Sequence, residues 1–373
     1  EGRPYLDFIA GIAVCALGHN HPVLTASIQA QAARLLHVSN LYLIPEQARL
    51  GQWLVEHSAL DRAFFCNSGA EANEAAIKLA RKYWHAKGDQ RFEIIVANQS
   101  FHGRTLATLA ATAQPKYQKG FDPLPAGFTP VPFDDIDALQ QAVRRQTAAV
   151  MLEVVQGEGG YRFPSPAYLP SVRRVCDEGG LLLILDEVQT GIGRTGRWFA
   201  YEHYGITPDI MTLAKGLGGG VPVGAMLATE AVSSAFQPGD HGSTFGGNFL
   251  VCAASLAVVT TIEQDGLIQH AAELGTYLVD QLRTLARTHS AITEVRGLGL
   301  MVAVELSTET APQVVDAARE RGLLLNAVQP NTLRLVPPLV ITRQDVDEAV
   351  RILAESLASV TQPVTTAVVG HGS

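Results

Sequence analysis

Two apolar runs in the 373-residue chain each end on a charged residue. Leu181 to Leu185 reads Leu-Leu-Leu-Ile-Leu and stops at Asp186-Glu187, while Ile210-Met211-Thr212-Leu213-Ala214 stops at Lys215, followed by Gly216 and Gly218-Gly219-Gly220. Runs of this kind mark strands buried on both faces of a parallel sheet, and ligands of open α/β sheets collect where such strands end. An acid and an amine at two strand ends suit one shared task, holding pyridoxal 5'-phosphate. The amine condenses with the aldehyde, and the carboxylate keeps the pyridine nitrogen protonated so that the ring accepts electrons. An ordinary lysine, with a pKa of about 10.4, is protonated at neutral pH, so such a site must keep Lys215 neutral or bonded. Taken alone, the stretch fits a capping aspartate and a solvated lysine equally well.

Other segments offer the remaining parts of such a site. Asn67-Ser68-Gly69-Ala70-Glu71 opens a helix whose apolar stripe is Ala72, Ala75, Ala76, Leu79, Ala80 and Tyr83. Ser68 with Glu71 three residues on is a capping box; Gly69 and the free amides of the helix start also suit a phosphate, provided Glu71 points away. Ser100-Phe101-His102-Gly103-Arg104 follows a strand at 92–96, so Phe101 can cover a planar ligand and Arg104 can fork a carboxylate, or the two can be a packed ring and a solvated charge. A third strand, 148–155, carries Glu153 and runs into Gln156-Gly157-Glu158-Gly159-Gly160. Gly191-Ile192-Gly193-Arg194-Thr195-Gly196 fits a dinucleotide fingerprint, but five residues separate it from its strand and Asp209, the nearest acid at suitable spacing, precedes the next apolar run. His241 to Asn248 is a turn with two hydroxyls, Ser243 and Thr244. Downstream lie an apolar helix at 249–262, a long amphipathic one at 267–287, a strand near 299–305, a helix at 311–320, and Leu333-Arg334-Leu335, whose alternation puts Arg334 on the opposite face.

With 47% hydrophobic and 17% charged residues the chain has room for two domains. A formal charge of −8 argues against a nucleic-acid surface. No apolar run approaches the ~20 residues of a membrane span, and the start has no signal-peptide pattern. A cytoplasmic protein without membrane partners is the expectation. Cys15, Cys66, Cys176 and Cys252 stand far apart, as reduced thiols. The His19-Asn20-His21 pair lacks a ligand cluster, so no metal is expected. The first residues read as the middle of a strand, so a preceding segment is expected; the tail from Thr361 is expected to fray.

In this order the segments GIAVCALGHNHP, FCNSGAEANEAAIKLARKYW, SFHGRTLATLAATAQPKYQKGF, LEVVQGEGG, LLLILDEVQTGIGRTG, TLAKGLGGGVPVGA, GSTFGGNFL and LRLVPPL resemble the class III, or ω-amino, aminotransferases of the fold type I pyridoxal-phosphate superfamily. The resemblance covers almost the whole chain. It implies an α/β fold with a large domain (46–262) built on a mostly parallel seven-stranded sheet covered by helices. A smaller α/β domain (263–373) and an N-terminal segment (1–45) that joins it complete the division. It further implies that Lys215 carries the cofactor as a Schiff base and Asp186 pairs with the pyridine nitrogen. Val188 would lie under the ring, Gln189 would meet the phenolic oxygen, Phe101 would stack on the other face, and Glu187 would belong to the same cofactor set. Ser68, Gly69 and Ala70 would hold the phosphate, completed by Thr244 of a neighbouring subunit, so a homodimer with shared active sites is implied. Arg104 and Ser243 would meet the substrate carboxylate; Arg334 would be a second carboxylate site that pairs with Glu158 while the amine donor is bound. The implied amino donor is N2-acetylornithine, with ornithine, succinylornithine, succinyl-diaminopimelate, 4-aminobutyrate and acetyl-lysine as alternatives, and the acceptor is 2-oxoglutarate, which leaves as glutamate. Val154 departs from the proline many relatives carry there.

Overall fold

A computed structural model describes residues 2–361; the expected tail lies outside the described residues apart from the last turn of a helix ending at Thr361. The main sheet has seven strands: β1 (Arg62–Cys66), β2 (Glu93–Ala97), β3 (Phe128–Val131), β4 (Thr147–Glu153), β5 (Leu182–Asp186), β6 (Ile210–Leu213) and β7 (Gly224–Ala228). Their order is β1-β7-β6-β5-β4-β2-β3. Only β7 runs against its two neighbours; the other pairings are parallel. Every residue of β4, β5, β6 and β7 is buried. Alternate side chains enter two cores, Val150, Leu152, Leu183, Leu185 and Met211 on one face, Ala149, Met151, Leu182, Ile184 and Ile210 on the other. This two-sided burial is why the strands read as unbroken apolar runs.

Helix α1 (Gly69–Ala86) lies over the second of these faces through Leu79 and through Ala75, Ala76 and Ala80, the small side chains of the alanines letting it approach the strands closely. The first face is covered by Pro45–Glu56, Tyr168–Gly179 and α2 (Phe249–Gln264). Beyond α3 (Leu267–Ala286) stands a four-stranded antiparallel sheet, β8 (Ile292–Leu298), β9 (Met301–Leu306), β10 (Asn326–Gln329) and β11 (Thr332–Leu335), in the order β10-β11-β9-β8. Helices Ala311–Glu320 and Arg343–Thr361 accompany it. Near the start of the chain, Leu6–Asp7 pairs in parallel with Leu323–Leu324. No single helix among the described residues is long and apolar enough to cross a membrane.

The Gly191 to Gly196 segment opens no helix. Gly193 and Gly196 have φ of +85° and +82°, and a side chain at Gly196 would meet the Ala272 Cα at 2.9 Å. Its glycines therefore permit close packing against α3. Arg194 between them is buried; its Nη1 donates to the carbonyls of Leu300 (3.0 Å) and Pro337 (2.6 Å), and burial pushes its pKa down to about 10.

Candidate active site

Three polar residues stand side by side at the carboxyl ends of the central strands, because Glu153 is in register with Asp186, and Asp186 with Thr212. The first two line a cavity of about 420 Å³ together with Ser68, Gly69, Ala70, Phe101, Arg104, Glu158, Val188, Gln189 and Lys215. Sequence reading thus brings most of its candidates to one place.

Asp186 is held on three sides. Its Oδ2 accepts from Asn73 Nδ2 and lies 2.8 Å from His102 Nδ1, and Oδ1 accepts the Val188 amide at 3.0 Å. Asn73 in turn accepts from Thr212 Oγ1 (2.7 Å) and donates to the His102 carbonyl (2.8 Å). The network fixes the carboxylate while leaving Oδ1 with acceptor capacity toward the cavity. Glu153 accepts the amides of Phe101 and Gly157, both at 2.9 Å, and burial, against the pull of His102, raises its carboxyl to about 7. Neither His102, Asn73 nor Glu153 is given a role by sequence reading. Only Glu153 carries a local signal, a charge ending a buried run as Asp186 does.

Lys215 follows β6 with a φ of +40°, and its side chain lines the cavity without a hydrogen-bond partner among the described residues. Burial lowers its pKa, an effect that Glu158, Asp186 and Glu153 partly oppose. At the mouth of α1 the Ser68 hydroxyl accepts from the Glu71 amide (3.2 Å), and the Glu71 carboxylate turns back to the amide and side chain of Asn67 (2.7 and 2.8 Å). The acid is therefore drawn away from the helix start, and the amides of Gly69 and Ala70 donate to no acceptor among the described residues. Together they form an anion cradle. A Cβ at Gly69 would stand 2.8 Å from Val188 Cγ1, so only glycine lets the helix start and Val188 close on one narrow slot.

Arg104 is exposed and has no carboxylate partner among the described residues; its guanidinium rests 4.5 Å from the Tyr117 ring centroid and 5.5 Å from that of Phe101. Tyr117 is a residue sequence reading passes over. Across the cavity, Glu158 pairs with Arg334 (Oε1 to Nη1, 2.5 Å), which is 2% exposed and also donates to Asn326 Oδ1. Alternation on β11 aims Arg334 away from Leu333 and Leu335, as its sequence suggests.

Four candidates stand off the cavity wall: Arg334, which reaches it through Glu158, and three others. Ser243 accepts from Asn67 Nδ2 (3.1 Å), so it touches a wall residue without lining the cavity itself. Thr244 is exposed on the same turn. Glu187 is buried and turned away: it accepts from Thr190 Oγ1 and from the Tyr201 amide, and burial raises its carboxyl to about 7. The expectation that Glu187 faces a cofactor is thereby corrected; directly after Asp186 on an extended strand, its side chain points to the opposite face.

A mostly parallel sheet ending in a fixed acid and an unpartnered amine, beside an open helix start, defines a fold type I α/β transferase. The family model for class-III aminotransferases matches residues 1–357, and the chain belongs to that family. It is similar to the acetylornithine aminotransferase of Caldanaerobacter subterraneus, at 54% identity over 96% of this chain and 92% of the relative. A relative of the same name from Methanocaldococcus jannaschii is 51% identical over 95% and 89% of the two chains. Among solved structures, the N-acetylornithine aminotransferase of Stenotrophomonas maltophilia matches with a TM-score of 0.84 at 37% identity, covering 96% of this chain and 92% of that one. The ornithine aminotransferase of Toxoplasma gondii gives 0.93 at 35% identity, covering 96% and 87%.

Proposed function

We propose that this chain is a pyridoxal-phosphate-dependent transaminase that moves the δ-amino group of N2-acetylornithine to 2-oxoglutarate, giving N-acetylglutamate 5-semialdehyde and glutamate in arginine biosynthesis. The observation that carries the reading is the shared cavity of Lys215, Asp186 and the Gly69–Ala70 amides. The residues present fit the cofactor: a free amine for its aldehyde, a fixed carboxylate for its pyridine nitrogen, and unsatisfied amides for its phosphate. Relatives with acetylornithine aminotransferase activity in their names support the donor.

When bound, the cofactor supplies an electron sink that makes the substrate's amine-bearing carbon acidic. Asp186, oriented by Asn73 and His102, keeps the ring nitrogen protonated. Lys215 Nζ would take the proton from that carbon and deliver it to the cofactor carbon on the far side of the shared nitrogen, a 1,3 shift for which a lowered amine pKa is suited. Phe101 and Val188 wall the slot, Gln189 would hold the ring's phenolic oxygen, and Arg104, which meets no carboxylate among the described residues, would grip the donor's carboxylate. Arg334, neutralised by Glu158, presents no free charge to the donor's uncharged acetyl end, and is released for the second carboxylate of glutamate.

We also propose a cytoplasmic homodimer. Leu41, Tyr42 and Leu43 are 85%, 69% and 97% exposed, and Asn40 ties this segment to the 243–246 turn. An apolar face of this kind suits a second copy, whose cofactor phosphate Thr244 would complete. We divide the chain into residues 46–262 and 263–373; within 1–45, the Leu6–Asp7 pairing with Leu323–Leu324 supports joining the start to the latter, whereas Pro22–Ala32 packs on α2 of the former, with Ser27 Oγ donating to the Ala253 carbonyl. The deciding experiment is a panel of ω-amine donors, scored by loss of the cofactor's long-wavelength absorbance in a single turnover. Acetylornithine is expected to react fastest; preference for unblocked ornithine or 4-aminobutyrate would overturn the donor assignment.

A further inference from the structure

We propose that Tyr161 is a positioning residue which sets the orientation of the Gln189 amide, so that Gln189 offers a donor and not an acceptor to the cavity. The proposal rests on the reading of Gln189 as a partner of the cofactor's phenolic oxygen.

Tyr161 follows Gly160 in the turn after β4, is fully buried, and has a φ of +52°. Left-handed backbone is costly for a bulky residue and persists only when the surroundings impose it. They do so here: Arg296 donates to the carbonyls of Gly160 and Tyr161, both at 2.8 Å, and Gln156 and Arg162 exchange backbone hydrogen bonds across the turn. Glycine would adopt this conformation without strain. A tyrosine retained at such a position implies use of its side chain.

That side chain spans the two ends of the site. Its hydroxyl donates to Gln189 Oε1 at 2.6 Å, and the Arg334 guanidinium stands 5.8 Å from its ring centroid. Burial raises the phenol well above its usual range against the opposing pull of Arg334 and Arg194, so the hydroxyl keeps its proton. Its cationic neighbours, Arg334 and Arg194, are donors only, and Glu158, the acid that bears on it, is paired with Arg334 and takes no hydrogen bond from the hydroxyl among the described residues. The proton therefore goes to Gln189 Oε1, and the identity of the amide oxygen is settled by the network. Nε2 is the atom left over. A side chain at Gly157 would fall 2.5 Å from it, so glycine there keeps Nε2 uncovered. An N–H aimed at the phenolic oxygen draws electron density from the ring and makes the lysine linkage less basic.

The test is the pH titration of the visible band of the resting holoenzyme. Tyr161→Phe keeps the ring and the backbone but releases the amide to flip. The midpoint should rise by about 0.7 pH unit, the equivalent of one neutral hydrogen bond. Gln189→Glu, which cannot offer that donor, should raise it as well, and Tyr161→Phe should add nothing in the Gln189→Glu background. The two half-reactions should slow by a common factor in Tyr161→Phe, because the change lies at the cofactor and not at a carboxylate grip. An unmoved midpoint in Tyr161→Phe, or an additive second shift in the double variant, overturns the proposal. Should Tyr161→Phe not fold, Tyr161→Met, which also lacks the hydroxyl, decides: an unmoved midpoint overturns the proposal and a raised one supports it. A wild-type protein with no titratable visible band would instead sink the cofactor reading itself, a distinguishable failure.

Discussion

Replacing Glu158 by Gln should favour glutamate over acetylornithine. In the wild type Arg334 is almost wholly buried and spends Nη1 on Glu158, whose side chain is 24% exposed. An incoming dicarboxylate must displace this internal anion, whereas an acetylated donor leaves it in place. Truncating one partner of a buried charge pair costs roughly 2–5 kcal/mol; with Glu158 partly solvated, a competition of about 1.5–3 kcal/mol is the appropriate discount. At 1.4 kcal/mol per decade, the ratio of second-order rate constants, glutamate over acetylornithine, should rise roughly 10- to 100-fold. Glu158 also supports the charge on Lys215, so its loss touches both half-reactions. The ratio cancels that common effect. Single-turnover absorbance with each amino donor measures it directly, and a ratio that stays within about twofold of the wild type, or falls, refutes the competition between Glu158 and substrate.

Lys215→Ala should abolish turnover and the borohydride-reducible attachment of cofactor; a yellow, active Ala variant would exclude Lys215 as the reacting amine. Arg104→Leu removes a guanidinium that has no protein carboxylate to satisfy, so it should weaken the donor by about 2 kcal/mol in kcat/KM; a change below about 0.5 kcal/mol would make it a surface charge. Glu187→Gln should leave kcat unchanged and stabilise the apoprotein at pH 8 relative to pH 5. The raised carboxyl contributes stability fully below its unfolded pKa, and that contribution is lost as pH rises through about 7, a swing on the order of 3 kcal/mol that Gln abolishes. Thermal melts at the two pH values check it, and a variant less stable than wild type at pH 8 would show that the Thr190 and Tyr201 bonds need the charge.

The central strands were legible because burial on both faces leaves no polar residue until the strand ends, which is also where the chemistry sits: Asp186 and Lys215 announce themselves by interrupting Leu and Ile. Strand β7 has no such signature. Gly-Ala-Met-Leu-Ala lacks β-branched and aromatic residues and forms a strand through pairing on both sides with β1 and β6. Ser68 and Gly69 were readable from capping rules, yet the decisive detail, the turning of Glu71 toward Asn67, depends on a side-chain rotamer. His102 and Asn73 acquire meaning only when the fold brings residues about 84 and 113 positions away in sequence to within 2.8 Å. Glu187 illustrates the opposite error, since adjacency to Asp186 on a strand places it on the far side.

Arg194 gives the molecule a seam that resists being opened. A guanidinium stripped of water is clasped by two carbonyl oxygens from beyond the main sheet, and no carboxylate among the described residues pairs with it. Pulling the halves apart would strand a bare cation, so a swinging hinge is the least affordable motion available here. Admission and release of ligand are then left to short, partly exposed turns such as 241–248, a latch on a fixed door frame.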